Sequence, residues 1–124
     1  MIQISPEQRI YATLRKLIDL ELGYSVFDYV PDNVGYPFVV LGEQFSQPFR
    51  EHKDGRNKYV QTTVHVWHND WRQRRTLSNM MHNIELAIIR EFGVDGEDIS
   101  VQMLPDNSTG SDLYHGILET DIKI

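Results

Sequence analysis

The sequence predicts an α+β fold: one mixed or antiparallel sheet of about five strands flanked by two helices, in the order α-β-β-β-α-β-β. Three observations carry this. Two amphipathic helical stretches, one opening at Ser5 and one at Asn69-Asp70, each end on a glycine. Between them, VFDYVPDNVGYPFVVLGE reads as strand, Pro/Gly turn and strand, and YVQTTVHVW alternates strictly. Beyond the second helix, two more β-rich segments flank the turn-rich PDNSTGS.

The elements follow from local chemistry. Ser5-Pro6-Glu7-Gln8 has a capping serine, a proline suited to the first helical position and Gln8 to complete a capping box. Ile10, Leu14, Leu17, Ile18 and Leu22 then recur at helical spacing, and Gly23 is a natural stop, so helix 1 is expected over about 6–22. Tyr24 to Val30 reads as a short strand and residues 31–35 as a turn. Phe38-Val39-Val40-Leu41 is a near-continuous apolar run, as in a strand covered on both faces, continuing toward Gln44 or Ser46. QPFREHKDGRN, residues 47–57, is a long charged connection.

From Lys58 to His68, Val60, Thr62, Val64 and Val66 share one face, which should meet the helices. Tyr59, Gln61, Thr63, His65 and Trp67 share the other, an aromatic face open to a partner. Asn69-Asp70 caps helix 2; Leu77, Met80, Met81, Ile84, Ala87 and Ile88 mark its buried stripe and Gly93 ends it. Arg72, Arg74 and Arg75 fall in its first turns, where the helix dipole disfavours cations. Residues 94–98 read as a loop, 99–104 as a strand, 105–111 as a loop and 114–124 as the last strand. Of that last strand, Tyr114, Leu118, Thr120, Ile122 and Ile124 share a face.

At 124 residues the chain is expected to form a single domain, residues 1–124, large enough for one core. With no cysteine there is no disulfide framework, thiolate zinc site or thiol nucleophile. MIQISPEQRIYATL lacks the charged start and apolar run of a signal peptide, and no apolar stretch approaches membrane-spanning length. The net charge of −6 is uneven: residues 1–90 hold 11 basic and 10 acidic side chains, residues 91–124 hold 1 and 8. The basic excess concentrates at Arg50, Lys53, Arg56, Lys58, Arg72, Arg74 and Arg75; the acidic end includes Asp95, Glu97, Asp98 and Asp112. Such polarity suits heterologous head-to-tail contact between copies, in which complementary charge orients the subunits. These residues, with Trp67, form the candidate subunit or partner interface. The overall acidity argues against tight non-specific DNA binding.

Motifs for catalysis are sparse. Of the five histidines, His65 and His68 point to opposite sides of a strand, His82 lies on a helix without a ligand four residues away, and His52 and His115 fall in a loop and a strand. They read as surface or sheet histidines, with no metal or cofactor called for. Asp32 and Glu43 have the look of the acid pair of a metal-dependent nuclease, but the position where that chemistry needs a lysine is Phe45. No GxSxG setting or glycine-rich phosphate loop is present.

Taken in order, helix 1, VFDYVP, YPFVVLGE, the charged loop, VHVW and a helix containing IELAI resemble the tail completion proteins, or tail terminators, of tailed phages and prophages of Gram-positive bacteria. The resemblance covers roughly residues 5–122 and is strongest at Val26–Pro31, Tyr36–Glu43 and Thr62–Ile88. It implies a non-enzymatic virion protein with a fold similar to the lambda-type tail terminator, forming a hexameric ring on the tail tube. That ring would stop tube elongation and present the head-tail joining surface. The implied partners are further copies of the chain, the tail tube protein and the head-closure connector, with DNA passing through the lumen and no membrane. The implied locations are the virion tail or neck, and host cytoplasm during assembly. A neighbouring head-closure or neck adaptor role is the near alternative, and a small metal-dependent nuclease the distant one.

Overall fold

The computed structural model describes residues 3–48, 58–107 and 113–123. Helix α1 runs Pro6–Lys16, with Ser5 Oγ accepting from the Gln8 backbone N–H at 3.1 Å. The expected helix to residue 22 changes winding after Lys16: Leu17–Glu21 form a π-helical turn closed by Leu22 N–H on the Leu17 carbonyl. Strand β1 is only Val26–Phe27, shorter than the expected 24–30. Strand β2 spans Phe38–Pro48 and β3 spans Lys58–His68, so the connection between them starts later than the expected residue 47; residues 49–57 lie outside the described residues. A 3₁₀ turn at Trp71–Gln73 leads into α2, Arg74–Phe92, which ends on Gly93 in the left-handed conformation that glycine adopts without strain. A second 3₁₀ turn, Gly96–Asp98, precedes β4 at Ile99–Asp106; β5 is Leu113–Lys123.

The five strands form one mixed sheet in the order β1-β2-β3-β5-β4. Among the described residues β1–β2 pair in parallel, and β2–β3, β3–β5 and β4–β5 are antiparallel. Strand β4 is an edge, which is why it accommodates Pro105 and continues past the expected end at Leu104.

One face of the sheet carries the core. Val39, Leu41, Val60, Val64, Val66, Leu118 and Ile122 are buried against Ile10, Leu14 and Ile18 at the N-terminal helix and Leu77, Met81, Ile84 and Ile88 of α2. The alternation seen in the sequence therefore faces as expected, and both helices pack on the same side. Thr62 and Thr120 sit directly opposite one another on that face, 2% and 1% exposed, and neither hydroxyl has a hydrogen-bond partner among the described residues. Gly116 also belongs to this face: a β-carbon there would lie 2.7 Å from Met81 Sδ, so its absence lets α2 approach the sheet. Gln44 donates from its side chain to the Glu7 carbonyl and Ser46 bonds the Glu7 carboxylate, tying β2 to the start of α1.

No helix among the described residues packs on the other face. At its β1 corner, Phe38 is buried between Phe27, an edge-on contact at 6.1 Å, and Tyr36 at 5.1 Å, whose peptide bond to Pro37 is cis.

Candidate functional site

The second face of the sheet, opposite the helices, brings together residues that lie far apart in sequence. Pairing of β3 with β5 sets Trp67 opposite His115, and the two rings stack in parallel with centroids 3.6 Å apart. His65, two residues earlier on the same face of β3, places Nδ1 2.8 Å from His115 Nε2. A carboxylate stands at each end of this pair: Glu43 Oε2 is 3.7 Å from His65 Nε2, and Asp106 Oδ2 is 3.7 Å from His115 Nδ1. The result is a row, Glu43–His65–His115–Asp106, taking one residue each from β2, β3, β5 and β4 in their spatial order.

Two backbone features make the row possible. The β2–β3 register slips between Leu41 and Gln44, and this irregularity re-aims Glu43 toward His65. Without it, Glu43 would share the inward face with Leu41. Gly42 leaves space for the His65 ring, which a β-carbon would approach at 2.8 Å.

Burial controls the electrostatics. His115 is 8% exposed, and its pKa is lowered to about 4, first by burial and then by the neighbouring His65, with Asp106 acting in the opposite direction. The indole N–H of Trp67 is buried without an acceptor. Beside the row lies a cleft of about 420 Å³ bordered by Asp28, Tyr29, Val30, Val40 and Glu43. Tyr29 and Val30 are 67% and 60% exposed, and Phe45, further down β2, is 61% exposed.

The expected interface residues separate into two groups. Arg72, Arg74 and Arg75 are exposed just beyond the end of β3, at the end of the sheet that holds Phe38, Trp67 and Asp106. Asp70, the expected cap, accepts from the Arg72 backbone N–H at 3.0 Å and pairs with its guanidinium; these contacts hold its carboxyl below the usual carboxylate range. His68 Nδ1 accepts from the Asp70 N–H. At the opposite end, Asp95 caps the 3₁₀ turn through the Glu97 N–H, and Glu97 and Asp98 border a groove of about 210 Å³ with Glu119 and Asp121. Trp67, expected on a partner-facing surface, is on this second face, half-buried, with its ring stacked on His115 and lining the cleft. Lys58 is described only as the first residue of β3, and Arg50, Lys53, Arg56 and Asp112 lie outside the described residues.

Sequence reasoning placed His65 and His115 on strands but did not join them. Their meeting depends on β3 pairing with β5 across the intervening α2 and β4, which residue spacing does not encode. Glu43, weighed above as a possible metal ligand with Asp32, stands against His65 instead. Among the described residues no three His, Asp or Glu side chains are grouped so as to hold a metal ion, and no helix is long and apolar enough to cross a membrane.

Neither the models of known protein families nor the curated proteins contain a match to this chain.

Proposed function

We propose that the chain is a structural assembly protein of the tail-completion type, acting as a ring of identical subunits that caps a phage tail tube and forms the head-tail joining surface. The observation that carries this is the polarity of the folded domain. Arg72, Arg74 and Arg75 are exposed at one end of the strands, and Glu97, Asp98, Glu119 and Asp121 gather at the other. Lys58 and Lys123 also fall at that second end and Asp106 at the first, so the support is the arginine cluster against the carboxylate groove. Such complementary clusters at opposite ends favour a heterologous contact with the next copy, and a series of such contacts closes into a ring when the rotation between copies permits. The sheet face on which no described helix packs and the edge strand β4 add surface for neighbouring proteins. The resemblance at Val26–Pro31, Tyr36–Glu43 and Thr62–Ile88 supplies the particular assembly.

The test is native mass by light scattering, alone and with purified tail tubes, followed by negative-stain imaging. Closed rings, or a cap confined to one tube end, are the expected result. A monomer that leaves tubes uncapped at every concentration tried would overturn the assembly role.

A further inference from the structure

The Glu43–His65–His115–Asp106 row has three gaps to fill with hydrogens. Two neutral imidazoles carry two N–H groups between them. One of these must lie in the 2.8 Å contact between His65 Nδ1 and His115 Nε2, leaving a bare ring nitrogen facing a carboxylate at one end. One additional proton gives an N–H toward each carboxylate and one shared at the centre. A further proton puts N–H groups on both nitrogens of the central contact, which then has two donors, no acceptor and two adjacent positive charges. The contact cannot survive that state.

Trp67 is tied to the same event because its ring lies flat on His115. The charged and titratable groups around the pair are Glu43 from β2, His65 from β3, Asp106 from β4, and Asp28 and Tyr29 from the connection after β1 that borders the cleft. Among the described residues that border the cleft there is no lysine or arginine.

We propose that this row is a proton-operated latch for Trp67: the imidazole pair holds together while an N–H is shared between the rings, and protonation of both rings drives His115 off the indole and opens the cleft on the second sheet face. The latch belongs to the single folded chain and is independent of whether copies assemble into a ring. The low proton affinity of His115 places its opening on the acid side, near pH 4.

The experiment uses the full chain with Trp71→Phe, leaving Trp67 as the single indole of a protein that has two tryptophans. Acrylamide quenching and the emission maximum are followed from neutral pH to below about 4, with far-UV circular dichroism recorded in parallel. The expected result is increased quenching and a red-shifted emission with the circular dichroism unchanged. His115→Phe, which keeps an aromatic ring against Trp67 but cannot titrate, should abolish the transition. His65→Gln, which removes the second imidazole, should also abolish it, and Asp106→Asn should move its midpoint to lower pH, because it removes a group that favours protonated His115. As a check needing no substitution, long-range ¹H–¹⁵N spectra of the unmodified protein should show the His115 ring nitrogens titrating near pH 4. A flat Trp67 signal, a transition that persists in His115→Phe or His65→Gln, or a coincident loss of circular dichroism would each overturn the latch.

Discussion

The ring of His65 occupies the space that a side chain on Gly42 would need: a β-carbon there would stand 2.8 Å from both Cδ2 and Nε2 of the imidazole and 3.2 Å from the Thr63 carbonyl oxygen. Gly42→Ala should therefore push His65 away from His115 or bend β2. We predict a loss of about 1–3 kcal/mol in stability, the usual cost of overpacking, together with altered ring resonances of both histidines. Chemical denaturation and histidine NMR check this. Unchanged resonances with unchanged stability would show that the strand absorbs the methyl group.

Stability should depend on pH through His115. Its folded pKa of about 4 lies below the ordinary histidine value of 6.5, so the unfolded chain binds more protons between those values. The contribution of His115 is fully present above about pH 6.5, falls as pH drops toward 4 and is exhausted below it. The full difference corresponds to roughly 3 kcal/mol at most. His115→Gln should flatten this part of the stability curve, measured by urea denaturation at a series of pH values. A variant curve as steep as the parent's would assign the dependence to other groups.

Thr62 and Thr120 bury two hydroxyls without hydrogen-bond partners among the described residues. An unmade hydrogen bond at a buried polar group costs about 1–3 kcal/mol, whereas an apolar replacement of the same shape can be neutral or stabilising. We predict that Thr62→Val with Thr120→Val raises stability by up to about 1 kcal/mol. Thermal and chemical unfolding provide the test; a clear destabilisation would mean that the hydroxyls are satisfied in solution.

Reversing Arg72, Arg74 and Arg75 to glutamate should block ring formation while leaving the monomer folded. All three are exposed, and the Asp70 cap retains its bond to the residue 72 backbone N–H. Carboxylates near a helix N-terminus are worth about 0.3–1 kcal/mol each where arginines are unfavourable. The loss of the Arg72–Asp70 pair offsets part of that gain. The expected outcome is a monomer at least as stable as the parent, seen by denaturation and light scattering. Rings formed at the parent's concentration would remove this cluster from the interface.

Much of the fold is legible because it rests on periodicity. The valines of β3 and the Leu77–Ile88 stripe announce their buried faces through spacings of two and of three to four residues. Ser5 and Gly93 mark helix boundaries through capping chemistry that acts within a few residues, whereas Asp70, expected to cap the second helix, caps the 3₁₀ turn ahead of it, and α2 itself follows Gln73 without a side-chain cap. The row on the opposite face is not legible, since it needs a particular strand order, a register irregularity at Leu41–Gln44 and a glycine at 42, each a tertiary matter. The short β1 differs from the expected strand for a related reason: Tyr24 to Val30 has the composition of a strand, but the ladder with β2 takes in Val26 and Phe27, preceded by a bond from the Val39 N–H to the Ser25 carbonyl.

The π-helical turn at Leu17–Glu21 acts as a phase adjuster between the first helix and everything after it. An α-helix advances each residue by about 100° around its axis, so one surplus residue in a turn re-aims the outgoing chain by about that angle without lengthening the helix by a full turn. A sequence one residue shorter at this point could wind as ordinary α-helix, but Gly23 would then release the chain in a different direction. Val26 and Phe27 would lose their line toward Val39 and Val40, and the parallel pairing that makes this sheet mixed would have to be found by some other route.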